Sequence, residues 1–249
     1  MSLRLEMLQV ARVAPTVLGE AAGLVKEFLR GQQNSDGGFK DRSGKSDLYY
    51  TVFGLDAYAV FQTEPDLDAV EKFLGTFADG DGLDLVHLSC LTRCWGSLGK
   101  DRMPKGLRVK LLQRLESFRK PCGGWDNNLK REHGTAYGSF LALGAYQDMG
   151  KLPPKPLRIL QSLKKLETPD HAWNNHPNLP IGSTNPTAGA VVLLNNLHLP
   201  INAEVGQWLR ARLHPQGGFV AVPGAPMPDL LSTATTLHAL AAMDVRLTE

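Results

Sequence analysis

The chain has 249 residues, 27 Lys and Arg against 25 Asp and Glu, and 43% hydrophobic residues, with a mean hydropathy of -0.18. That apolar content excludes a disordered chain, and the nearly even charge excludes a dedicated nucleic-acid binder. The longest apolar run, Ala188 to Leu194 with one glycine, falls far short of the ~20 residues a membrane span needs.

Three cysteines, Cys90, Cys94 and Cys122, are an odd number that points to reduced thiols and a cytoplasmic location. The first nine residues mix charges with apolar side chains, unlike a signal-peptide core.

The predicted elements begin with an amphipathic segment at residues 2 to 13. A helical stripe follows, Leu18, Ala22, Val25 and Leu29, with Pro15 suited to its first turn. Gly37-Gly38-Phe39 then interrupts it, and a second helix rich in small and aromatic residues is expected to begin near Asp47. The same order returns four times. Val70, Phe73 and Phe77, with Asp66 as N-cap, lead to Asp81-Gly82-Leu83 and a second helix near Asp84. Leu107, Leu111, Leu115 and Phe118, after Pro104, lead to Gly123-Gly124-Trp125 and a helix near Glu132. Leu157, Leu160, Leu163 and Leu166, after Pro156, lead to His171-Ala172-Trp173 and a helix near Ser183. Val205, Trp208, Leu209 and Leu213, with Asn202 as N-cap, lead to Gly217-Gly218-Phe219 and a helix near Asp229.

The middle residues of these anchors, 38, 82, 124, 172 and 218, are 44, 42, 48 and 46 apart, which marks a repeat of helix, glycine loop and helix. Five repeats and the leading segment give about eleven helices. The repeat length would also suit an open solenoid. The long Gly-Gly-aromatic loop favours instead a backbone that packs closely while the ring fills a gap between repeats. The expected fold is therefore all-α: one domain over residues 1–249, with about five helical hairpins closed into an α/α toroid and second helices lining the centre.

These residues resemble the β subunits of protein prenyltransferases and, more distantly, the squalene and terpenoid cyclases. The resemblance is carried by Gln32-Gln33-Asn34-Ser35-Asp36-Gly37-Gly38-Phe39 followed by Asp47-Leu48-Tyr49-Tyr50-Thr51. In the prenyltransferases one repeat carries Arg and Lys for diphosphate, then Asp-x-Cys for zinc, and the next repeat supplies a zinc-binding His. Arg42-Ser43-Gly44-Lys45-Ser46-Asp47-Leu48-Tyr49-Tyr50 looks like that element shortened by one residue, with Tyr49 in the cysteine position. The alternative register, Asp229-Leu230-Leu231, also lacks the thiol. Neither phenol nor alkyl replaces a thiolate at a tetrahedral zinc, so no metal or cofactor is expected. The adjacent carboxylates of the cyclases, Asp-x-Asp-Asp, and the Asp-Asp-x-x-Asp magnesium cluster are likewise missing.

Arg131-Glu132-His133-Gly134-Thr135-Ala136-Tyr137 resembles the segment in which the prenyltransferases place a diphosphate-contacting His, so His133 is a candidate anion contact, with helix capping as the plainer role. Arg42, Lys45 and Tyr50 are a second candidate anion patch, with a solvated loop as the alternative. Asp84, His87, Cys90 and Cys94 share one helix face, a spacing better explained by packing and capping than by a metal. Tyr49, Phe53, Trp125, Tyr137 and Trp173 are candidates to line an apolar cavity. The basic run from Lys100 to Glu132 reads as a solvated outer face or as a contact for an acidic subunit or anionic membrane. The resemblance implies a protein that binds an isoprenoid or its diphosphate and transfers or cyclises it without the usual zinc. The alternatives are a non-catalytic scaffold subunit, with a protein partner, or a carbohydrate-active toroid enzyme that uses exposed Trp125 and Trp173.

Overall fold

In four of the five repeats the anchor loop closes as a tight turn that leads into a short ladder. The amide of Gly37 donates to Asn34 O at 2.9 Å, Gly123 to Lys120 O at 2.8 Å, His171 to Thr168 O at 3.1 Å, and Gly217 to His214 O at 2.8 Å. The aromatic after each turn then pairs, antiparallel, with the end of the first helix: Phe39 with Gln33, Trp125 with Arg119, Trp173 with Glu167, and Phe219 with Leu213. In three of these repeats the aromatic also bridges to the residue before the second helix, Phe39 to Asp47, Trp125 to Thr135 and Phe219 to Asp229. The second repeat, with Asp81-Gly82-Leu83, forms no such ladder among the described residues.

The computed structural model describes residues 2–247. They fall into two compact units, residues 2–117 with 144–152, and residues 118–143 with 153–247. The first unit holds α1 (Leu3–Ala11), α2 (Ala14–Leu18), α3 (Ala21–Gln32), the two-residue strands β1 (Phe39–Lys40) and β2 (Ser46–Asp47), α4 (Leu48–Val60), α5 (Leu67–Gly75), α6 (Leu85–Leu98), α7 (Leu107–Ser117) and the end of α8 (Ala136–Asp148). The expected first helix is broken in two, because Gly19 sits at φ +53° between α2 and α3. Its inward residues Ala22, Val25 and Leu29 still pack with Phe39, Tyr58 and Phe61.

Close approach explains Gly37. A Cβ there would lie 2.0 Å from the Ala69 carbonyl oxygen of α5 and the residue has φ +94°, so only glycine lets the loop touch the next repeat. Phe39 lies against Gly54 of its own second helix and meets Tyr58 edge-on at 5.9 Å. The aromatic thus fills the space above a side-chain-free position on α4.

The second unit holds the start of α8, then α9 (Arg158–Leu166), β3 (Glu167–Thr168), β4 (Ala172–Trp173), α10 (Thr184–Asn196), α11 (Ala203–Arg210) and α12 (Leu230–Ala242). Gly123 approaches Arg158 of α9 as Gly37 approaches α5. The second helices α10 and α12 pack on each other along their length. Twelve α-helices occur among the described residues, and the only strands are the four two-residue ones. No described helix is long and apolar enough to cross a membrane.

Candidate functional site

The amino ends of α4 and α6 come together in the first unit because the two helices pack on each other, and each begins with an aspartate. Asp47 Oδ1 accepts the amides of Tyr49 at 2.8 Å and Tyr50 at 3.2 Å, and Asp84 Oδ1 accepts the His87 amide at 2.8 Å. Such caps satisfy backbone donors that a first turn leaves free. His87, one turn into α6, sits between the two carboxylates: its Nδ1 is 2.8 Å from Asp84 Oδ1 and its Nε2 is 3.4 Å from Asp47 Oδ2. Burial alone would raise the Asp84 carboxyl, but the hydrogen bonds from the His87 amide and ring outweigh it and hold it below 3.8.

Beside this triad stands an aromatic pair. Tyr49 and Phe53, one turn apart on α4, meet edge-on at 4.9 Å and remain 38% and 52% exposed. Exposure of two such rings on a second helix leaves apolar surface that no described side chain covers. Desolvation raises the Tyr49 phenol, with Cys90 and Tyr50 adding to it. Burial pushes the Cys90 thiol up to about 12 and lifts Cys94 as well, so neither is a thiolate near neutral pH.

An ion network of largely buried side chains ties the same helices further along. Arg93 of α6 reaches Asp56 at 3.3 Å and Asp148 at 3.1 Å, and Arg4 of α1 reaches Asp56 at 2.6 Å. Burial raises the Asp148 carboxyl while Arg93 and Arg4 pull it back.

Several sequence expectations are placed differently. Arg42 and Lys45 are exposed at the tip of the β1–β2 hairpin, whose turn is held by Asp41 Oδ1 accepting the Ser43 and Lys45 amides. Tyr50 turns away into the cluster around Leu29 and Phe39, so no described contact joins it to those two cations. In the second unit α8 begins at Ala136, later than Glu132, and it is Thr135 that accepts the Gly138 amide. His133 therefore lies in the loop before the helix, where its Nδ1 is 3.1 Å from Gly134 O, and it caps nothing. Trp125 and Trp173 are 0% and 6% exposed, because the ladder turns each ring into its repeat, so neither lines an open cavity. Tyr137 is 48% exposed on the first turn of α8.

The residues present do not fit a zinc ion. Among the described residues, no three His, Cys, Asp or Glu side chains come together in a metal-binding arrangement. His87 is engaged by Asp47 and Asp84, and Cys90 and Cys94 are buried beneath it. Within the basic run, Arg102 binds Asp68 and Glu71, Arg114 binds Asp79 and Asp81, and Arg131 binds Asp126.

Sequence reasoning found Asp47 and His87 separately but missed their meeting. The available signal was an aspartate cap on consecutive second helices, with a histidine three residues after one of them. Sequence reasoning also missed the hydroxyl that receives each aromatic's amide, which recurs 12 or 14 residues after the ring.

Comparison with curated proteins gives no match. Residues 20–91 and 186–249 match the family described as the prenyltransferase alpha-alpha toroid domain. The matched segments contain the first glycine loop, the α4 and α6 starts, and α12, and they account for more than half of the sequence. A helical repeat whose glycine turn hands its aromatic to the following helix is what the two segments share, and by that match the chain belongs to the prenyltransferase alpha-alpha toroid domain family.

Proposed function

We propose that the protein binds an isoprenoid chain or its diphosphate against the second helices, with Tyr49 and Phe53 as the apolar contact. The observation that carries this reading is the exposed edge-on pair at 4.9 Å on α4. Fully burying an aromatic of this size contributes about 1.5–3 kcal/mol, and covering the exposed half of Phe53 contributes roughly half of that. The negative face of each ring also attracts a cationic carbon such as one formed when an allylic diphosphate departs with its bonding electrons. In a transfer or cyclisation, the His87 imidazole between Asp47 and Asp84 would accept the proton released when that carbon bonds to a nucleophile or closes to an alkene, and Arg42 and Lys45 are the candidate diphosphate contacts of this unit; His133, in the second unit, is a separate candidate.

The reading takes residues 1–249 as one toroid domain. The three free thiols support a reducing, cytoplasmic setting, and a partner subunit remains part of the proposal. The sugar-binding alternative loses its two platforms, since Trp125 and Trp173 are buried.

Calorimetry with farnesyl and geranylgeranyl diphosphate tests the reading. Binding is expected with at least one of them, weakened several-fold by Phe53→Ala, as loss of that buried surface requires. No heat with either, or affinity unchanged in the variant, would reject it.

A further inference from the structure

The second unit has one end that is apolar, exposed and almost free of charge. Thr184 Oγ1 donates to Val220 O at 2.6 Å, and the Thr184 amide to Ala221 O at 2.9 Å. Asn185 Oδ1 accepts the Thr235 hydroxyl at 2.8 Å. These bonds set the first turns of α10 and α12 side by side, so the loops that precede them, residues 174–183 and 220–229, lie at the same end. On these loops and the first turn of α12, Leu179, Ile181, Val222, Met227, Leu230 and Leu231 are 37%, 50%, 44%, 73%, 85% and 63% exposed. A soluble monomer seldom gathers so much large apolar surface without a use for it. Five prolines, at 177, 180, 223, 226 and 228, stiffen the two loops. Over residues 174–183 and 220–231 the only Asp, Glu, Lys or Arg is Asp229, whose Oδ1 accepts the Ser232 amide at 2.8 Å.

Cations stand next to this surface. A groove of about 640 Å³ is lined by Lys164, Lys165, Pro177, Leu179 and Pro180, with Glu167 as its carboxylate. Both lysines are exposed. Apolar side chains at a tip with lysines on the shoulder match the layering of a lipid surface, where acyl chains lie beneath anionic headgroups.

We propose that this end of the second unit is a peripheral membrane contact. Met227, Leu230, Leu231 and Val222 enter the acyl boundary of one leaflet, and Lys164 and Lys165 meet anionic headgroup phosphates. A second copy of the chain is the rival occupant of the surface, and the test below separates the two.

Flotation of the full chain with vesicles of phosphatidylcholine, alone or mixed with phosphatidylglycerol, tests the proposal without any isoprenoid, so its failure leaves the reading of Tyr49 and Phe53 untouched. The protein is expected to float with the mixed vesicles and more weakly with phosphatidylcholine alone. Met227→Asp with Leu230→Asp should lower partitioning about tenfold or more, since an acid at that depth is costly. Val222→Asp provides a second route to the same loss, and an unchanged thermal midpoint in each variant shows that the fold persists. Lys164→Glu with Lys165→Glu should abolish the preference for phosphatidylglycerol. No flotation, flotation that survives the acidic substitutions, or a lipid preference that survives the lysine changes would overturn the proposal. Self-association lost in Met227→Asp, without flotation of the parent, would overturn it in favour of a second copy.

Discussion

The Phe39 amide donates to Thr51 Oγ1 at 3.0 Å, and the same hydroxyl donates to the Asp47 carbonyl at 2.7 Å. One side chain thereby ties the glycine turn to the first turn of α4. The arrangement recurs with Trp173 and Thr187 at 3.0 Å, with Phe219 and Thr233 at 2.9 Å, and with Ser139 in the place of threonine for Trp125 at 3.2 Å.

Thr51→Val keeps the shape but removes both bonds, leaving the buried Phe39 amide without its acceptor. The expected cost is about 1–3 kcal/mol, read from the urea midpoint, and Thr51→Ser should recover most of it. A valine variant as stable as the parent would show that the bond contributes nothing.

Gly37→Ala and Gly44→Ala separate close approach from backbone strain. Both glycines have positive φ, +94° and +84°, but a Cβ at Gly37 meets Ala69 backbone at 2.0 Å whereas Gly44 has open space around it. Gly44→Ala should cost about 1 kcal/mol, within the range for a left-handed non-glycine residue. Gly37→Ala must also push the loop off α5 and should cost several times as much in thermal unfolding. Equal costs would remove the packing argument.

Arg93→Met leaves the carboxylates of Asp56 and Asp148 without their shared cation. Breaking a buried pair in this way typically costs about 3–5 kcal/mol. Burial raises Asp148 above 3.8 in the fold, so its contribution is fully present below the unfolded value and is lost as pH rises through the folded one. Loss of Arg93 raises that carboxyl further. The variant's deficit relative to the parent should therefore be larger at pH 7 than at pH 5 in chemical denaturation, and a deficit independent of pH would contradict the assignment.

Thiol labelling should discriminate among the cysteines. Burial would raise Cys122, but backbone amides, among them Gly134 at 3.3 Å, and the charge of Lys165 bring it lower, whereas Cys90 and Cys94 are pushed upward. All three thiols are buried, so iodoacetamide labels the native protein slowly, and peptide mapping is expected to find Cys122 marked first. Cys90 and Cys94 should react only once denaturant is added. Labelling of Cys90 ahead of Cys122 would reverse this order.

Sequence alone determined the local parts. The spacing of the glycine anchors announced the repeat, and the caps Asp47, Asp66, Asp84, Asn202 and Asp229 stood where an acid or amide precedes a helical stripe. Capping involves only neighbours within one turn, so it is written in a short window. Where two caps competed in one loop, that window failed: Glu132 looked suitable, yet the ladder from Trp125 to Thr135 fixed the start of α8. What only tertiary structure decided were the relations across repeats. His87 meets an aspartate 40 positions earlier because α4 packs on α6. The tryptophans turn inward while Tyr49 and Phe53 stay exposed, although all four look equally apolar in the sequence. Composition records how hydrophobic a ring is, but the direction it faces follows from which backbone amide its neighbours have bound and which helix lies beside it.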